Sequence, residues 1–256
     1  MAQEGAPCSI SCLTKTAERN RTKIERLDGF GASPMTALRL KTLGSPPSTQ
    51  VAHTLSEVFP ATVTDAASIG FILARLGQGQ APLLWVQDRL SRKEAGRPYL
   101  TRFGINRQVI MVDLSRAADV LWAMEDGLRC KALGAVIGEV WGDPPALNFT
   151  ASKRLAIRAE ASGVPCWLIR RAASPDLSAA RDRWRVASVP AAPHPDDGQA
   201  PGLPRWSLDL FRSRRSKPGQ WVASYDRAAD RIDLTAPVPN GTLAAHVRAA
   251  GQRAAG

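Results

Sequence analysis

Short apolar runs alternating with segments of helical length constrain this chain more than any other feature. Residues 55–59 form a short strand candidate, and 82–86, 109–112, 134–138 and 166–169 are continuous apolar runs of the kind buried on both faces of a sheet. Between them, 66–76 predicts a helix with Ala67, Phe71 and Ala74 on one face. A longer helix is predicted over 115–133, with Ala118, Leu121, Trp122, Glu125 and Leu128 in one stripe. Residues 152–162 predict another, ended by Gly163 as its C-cap. The stretch 88–97 is polar and reads as a loop or short helix. Strands and helices that alternate over short connections build βαβ units. The expected fold is therefore α/β, a mostly parallel sheet with helices on both faces.

The alternation ends after Arg185 and Val186. Residues 190–204 hold five prolines with glycine and aspartate and read as a solvated loop. Beyond them, 206–211 and 220–225 alternate polar and apolar residues around an arginine-rich 212–219, which predicts an antiparallel hairpin; 232–234 offers a last short strand. Residues 1–50 are rich in Ser, Thr, Gly and Pro, with seven basic and four acidic residues. Such a composition buries too little apolar area to offset ordering entropy. The expected organisation is a basic flexible arm (1–50), an α/β core (51–189), a Pro-rich loop (190–204), a hairpin completing the core (205–235) and a frayed tail (236–256).

Charge narrows the partners. Thirty-four basic against twenty-three acidic residues give a net +11, and only seven of the basic residues are lysine. A chain this basic meets nucleic acid, an acidic protein surface or anionic lipid. No run approaches the roughly 20 apolar residues of a membrane span, and the first residues lack a basic-then-apolar leader, so neither a membrane partner nor a secretory signal is expected. Four scattered cysteines, Cys8, Cys12, Cys130 and Cys166, do not make a disulfide framework. The expected setting is cytoplasmic, beside the nucleoid.

Several chemistries lack their residues. A phosphate loop needs glycines, a lysine and a Ser or Thr between the first strand and first helix. Here that segment, 60–65, has neither glycine nor lysine, and no lysine in the chain follows a glycine. Asp65 would repel a phosphate while satisfying the helix start itself. Gly77 and Gly79 follow a helix rather than a strand, which reads as a C-cap and turn. His53, His194 and His246 are too dispersed for a zinc site, and no Gly-x-Ser-x-Gly elbow occurs. Glu139 and Asp113 end apolar runs, where ligands of parallel sheets bind; without a phosphate loop they read as caps of the turns that follow.

Three segments carry a family likeness: His53-Thr-Leu-Ser-Glu-Val-Phe-Pro60 leading to Gly70 and Phe71; Lys153-Arg-Leu-Ala-Ile-Arg-Ala-Glu-Ala-Ser-Gly163; and Trp206-Ser-Leu-Asp-Leu with Arg214-Arg-Ser-Lys-Pro-Gly-Gln-Trp221. Over about 51–234 the chain resembles the ImuA-type proteins, RecA-like accessory factors of bacterial mutagenic translesion synthesis. The last segment is similar to the hairpin that closes RecA-type cores. The resemblance implies a RecA-like sheet in which 60–65 replaces the phosphate loop, Arg89 stands at the catalytic glutamate and Glu139 at the magnesium aspartate. A guanidinium that never deprotonates is no general base. It thus implies a non-enzymatic adaptor with no cofactor, acting in SOS-induced translesion DNA synthesis. The implied partners are a Y-family-like polymerase accessory protein, RecA and an error-prone replicative-type polymerase. An SOS cell-division inhibitor is the weaker match.

Two sets of residues are candidates for contact. Trp206, Phe211, Arg212, Arg214, Arg215, Lys217 and Trp221 on the hairpin suit a protein partner, since Trp and Arg dominate interface energetics; the tryptophans also suit packing of the hairpin onto the sheet. Arg170, Arg171, Arg181, Arg183 and Arg185, with the hairpin arginines, suit direct DNA binding, and Trp184 between two of them suits stacking on a base.

Overall fold

The computed structural model describes residues 51–103 and 106–237, with no side-chain account of Thr101 or Arg102. The expected arm (1–50), with Cys8 and Cys12, and the tail from residue 238 lie outside the described residues. Nine strands form one sheet in the order β3-β2-β4-β5-β1-β6-β7-β8-β9. They are β1 (Leu55–Pro60), β2 (Leu83–Asp88), β3 (Val109–Leu114), β4 (Ala135–Trp141), β5 (Cys166–Arg171), β6 (Asp182–Val189), β7 (Arg205–Ser213), β8 (Gly219–Asp226) and β9 (Arg231–Thr235). From β3 to β6 every pairing is parallel; β6 to β9 pair antiparallel. The α/β expectation holds, with the hairpin extending the sheet rather than standing beside it.

The apolar runs become strands because each is flanked by residues that leave the ladder. Asn148 begins α4 (Phe149–Ser162), accepting from the Ala151 N–H, and Gly163 ends it in the left-handed region. Asp88 caps α2 (Arg89–Ala95) through the Ser91 N–H. On one face, α3 (Ala117–Gly127) and α4 cover Leu55, Leu84, Val86, Val136, Val140 and Leu168. On the other lies α1 (Ala67–Leu76), packed against Val58, Trp85, Ile137, Trp167, Trp184, Trp206 and Trp221.

Four expectations need correction. The α1 helix buries eight consecutive residues, Ala67 to Ala74, not one face: they share one core cluster with residues of β1, β2, β4, β5, β6, β7 and β8. The run 109–112 is an edge strand, half-exposed throughout. The α3 helix ends at Gly127, where 3₁₀-type bonds from Arg129 and Cys130 turn the chain. It buries Val120, Leu121, Ala123, Met124 and Gly127, so of the expected stripe Leu121 and, just past the helix, Leu128 are buried, while Ala118 and Trp122 are exposed, Trp122 at 53%. Finally, β6 has no counterpart among the expected strands. Within 190–204, Pro193 and Pro201 form an isolated bridge. No helix among the described residues is long and apolar enough to cross a membrane.

Candidate functional site

Parallel sheets of this kind bind ligands beyond the C-terminal ends of their strands, and here side chains fill that rim. Glu139 lies within β4 rather than after it and is fully buried. One carboxylate oxygen accepts from Trp85 Nε1 at 2.7 Å and Gln87 Nε2 at 3.1 Å; the other accepts from Arg171 Nε at 2.7 Å. Arg171 then donates from Nη1 to the Val63 carbonyl at 2.7 Å. A guanidinium thus ties the loop between β1 and α1 to the strand carboxylate. Burial pushes the Glu139 carboxyl above its usual range, against the pull of Arg171. Asp65 accepts from the Ala67 N–H that opens α1, and from both the N–H and hydroxyl of Ser188. Arg89 is exposed at the start of α2, and Asp88 beside it faces inward, accepting from the Trp141 N–H.

The opposite face carries a second buried cluster. Glu57 in β1 accepts from Arg183 Nε at 2.7 Å and Ser178 Oγ at 2.5 Å, with Arg170 Nη1 at 3.9 Å. Arg170 donates to Asp143 at 2.6 Å, and Arg183 to the Asp176 carbonyl at 2.8 Å. Both guanidinium groups lie over the Phe59 ring; Arg183 also lies over Phe211, as does Arg185 at 4.3 Å. Arg170 and Arg171 are each 2% exposed and Arg183 is 3% exposed. These three arginines hold the interior together and do not face a phosphate backbone, which corrects the DNA-contact set. Trp184 is buried against Phe71, so it does not stack on a base. Arg185 is exposed, paired with Asp209.

Three other candidates do converge. Arg181, Arg214 and Arg215 line an open groove with His53 and Thr54, where Glu160 supplies the carboxylate. Arg181 binds Glu160 in bidentate fashion at 2.6 and 3.1 Å, which holds the Glu160 carboxyl below its usual range. The hairpin tip is fixed: the Arg215 and Ser216 N–H groups donate to Ser213 Oγ, and the Arg214 N–H to the Arg181 carbonyl. Arg215 reaches Asp182 at 3.3 Å; Lys217 is exposed, and Arg212 lies half-buried by the Ser178 carbonyl. No local sequence pattern marks His53 for this groove.

Trp221 is buried and packs the hairpin onto the sheet. Trp206 packs there too, but it also walls a cavity of about 370 Å³ between α1, the 3₁₀ turn Leu100–Phe103 and the β7–β8 ribbon. Phe103, Tyr225, Arg107 and Arg227 share that lining, and none of them stands out in the sequence.

Two proteins named Protein ImuA, from strains NA1000 and ATCC 19089 of Caulobacter vibrioides, are each 32% identical to this chain over 132 residues, covering 47% of it and 52% of them. The chain spans about half the length of these curated relatives, and the likeness supports the family relationship that the sequence motifs suggest. No family model matches.

Proposed function

We propose that this chain, related over about half its length to the ImuA proteins, is a non-catalytic adaptor in SOS-induced error-prone translesion DNA synthesis, docking on a Y-family-like polymerase accessory partner. The observation that carries the reading is the occupied rim. Arg171, set between Glu139 and the Val63 carbonyl, takes the space and the charge balance that a phosphate loop would need. With the crevice given over to side chains, the outer surfaces are what the molecule offers. Calorimetry with magnesium and a non-hydrolysable ATP analogue should register no binding, and a polymerase accessory protein should co-purify from DNA-damaged cells. A triphosphate seated beside Thr62 and Thr64 would overturn the non-catalytic half; a purification that brings down no polymerase component would overturn the adaptor half. Changing Arg212, Arg214 and Arg215 to Glu tests the hairpin tip, which leaves the interface if partner recovery is unchanged.

The groove of His53, Arg181, Arg214 and Arg215 favours a second reading, direct contact with DNA phosphates. Each phosphate contact on duplex should steepen the salt dependence by about 0.9 log units per log unit of salt. A flat dependence would leave the groove to an acidic protein surface.

A further inference from the structure

We propose that the cavity beside α1 is a docking pocket for a short acidic segment of a protein partner, which inserts a bulky apolar side chain against α1 and sets its carboxylates beside Arg107 and Arg227. The inference rests on the adaptor reading for the partner's being a protein, and adds where and by what chemistry it docks.

The floor explains the space. Ala66, Ala67, Gly70 and Ala74 present small residues along α1, and a side chain at Gly70 would meet Trp206 at 2.7 Å. The small floor therefore sets Trp206 close against the helix and leaves room alongside it. Aromatic walls surround that room: Phe103 from the 3₁₀ turn, and Trp206 stacked at 23° on Tyr225. At about 370 Å³ the cavity falls within the range of ligand pockets, roughly 300–1,000 Å³, and its mostly apolar lining suits a buried anchor.

Charge selects the occupant. Among the described residues, two arginines and no carboxylate line the cavity. Arg107 is half-buried and held in place by donating to the Gly77 carbonyl; burial lowers its pKa while Asp230 raises it, and an incoming anion would find an oriented cation. Asp230 stands at the edge of this lining, engaged by the Tyr225 hydroxyl and the Gln78 N–H, and its charge acts on Arg107. Residues 1–50 and 238–256 are the wrong sign: the first carry seven basic and four acidic residues, and the second carry Arg248 and Arg253 with no acid. Complementarity therefore points to another protein.

The probe is a short fluorescein-labelled peptide in which Phe and Leu alternate with Asp and Glu, read by anisotropy on the full chain. Its comparators replace the apolar residues by Ser or the acids by Lys. The acidic, apolar peptide should bind about tenfold tighter than either comparator. Ala66→Trp, which fills the mouth from an exposed position, and Arg227→Glu, at an exposed turn, should each weaken it about tenfold while melting as the wild type does. Arg227→Glu should also move the preference toward the Lys peptide. Equal binding of a comparator, unchanged binding in a folded Ala66→Trp protein, or no binding of any peptide would each overturn the pocket. So would self-association that Ala66→Trp abolishes in the absence of peptide binding, since a second copy would then be the occupant. Lost peptide binding with intact co-purification removes this pocket alone; intact peptide binding with failed co-purification removes the adaptor reading alone.

Discussion

Arg171 and Glu139 show what a single pair decides here. Each is buried, so removing one partner leaves an uncompensated charge in the interior, which costs about 3–5 kcal/mol, whereas removing both charges while keeping an acceptor for Trp85 and Gln87 costs less. Arg171→Met should therefore destabilise strongly in urea titration, and Arg171→Met with Glu139→Gln should recover part of the loss; a single variant as stable as wild type would remove the pair from the account of the rim. The same carboxyl gives a pH signature. Its folded pKa lies above the unfolded one, so between the two values the folded chain binds the proton more tightly. The contribution to stability is complete below the unfolded value, about 4.3, and is lost as pH rises through the folded one. Glu139→Gln should flatten that decline in a series of denaturant midpoints against pH.

At the scale of elements, Gly70 is where α1 meets the hairpin. An alanine there would place its methyl 2.7 Å from Trp206 and 3.3 Å from Phe103, both part of the cavity wall. Gly70→Ala should cost about 1–3 kcal/mol, and less in a Trp206→Phe background because the smaller ring yields; additive costs in a double-mutant cycle would show that the two do not touch. Which elements were legible in the sequence follows from where their partners lie. Strands with apolar neighbours on both sides, such as 82–86, declare themselves. The Gly77 and Gly163 turns declare themselves too, both glycines having positive φ. By contrast β6 reads as charged chain, Asp182-Arg-Trp-Arg, because Arg183 is buried by Glu57, a residue 126 positions away. Arg170 and Arg171 misled in the same way: arginine in a strand looks like surface until its carboxylate is located. The cavity was equally hidden, since Phe103, Trp206 and Tyr225 come from three separate segments.

For the whole molecule, the issue is whether the antiparallel ribbon is an appendage or part of the core. Its inward residues, Trp206, Leu208, Leu210, Trp221 and Ala223, belong to the same cluster as Val58, Phe71 and Trp184, so β7 and β8 cannot leave without exposing α1. The margins differ. β3 is half-exposed along its whole length and β9 alternates exposed and half-exposed residues, and each pairs with a neighbour on one side only. Local opening costs least where few apolar contacts and half-paired ladders meet. Hydrogen exchange followed by mass spectrometry should therefore find β1, β4 and β5 the slowest, β7 and β8 close to them, and β3 and β9 well ahead. Should β7 and β8 exchange together with β9 in advance of β1, the ribbon would be an independent unit, and the wall that Trp206 and Tyr225 give the cavity would open with it.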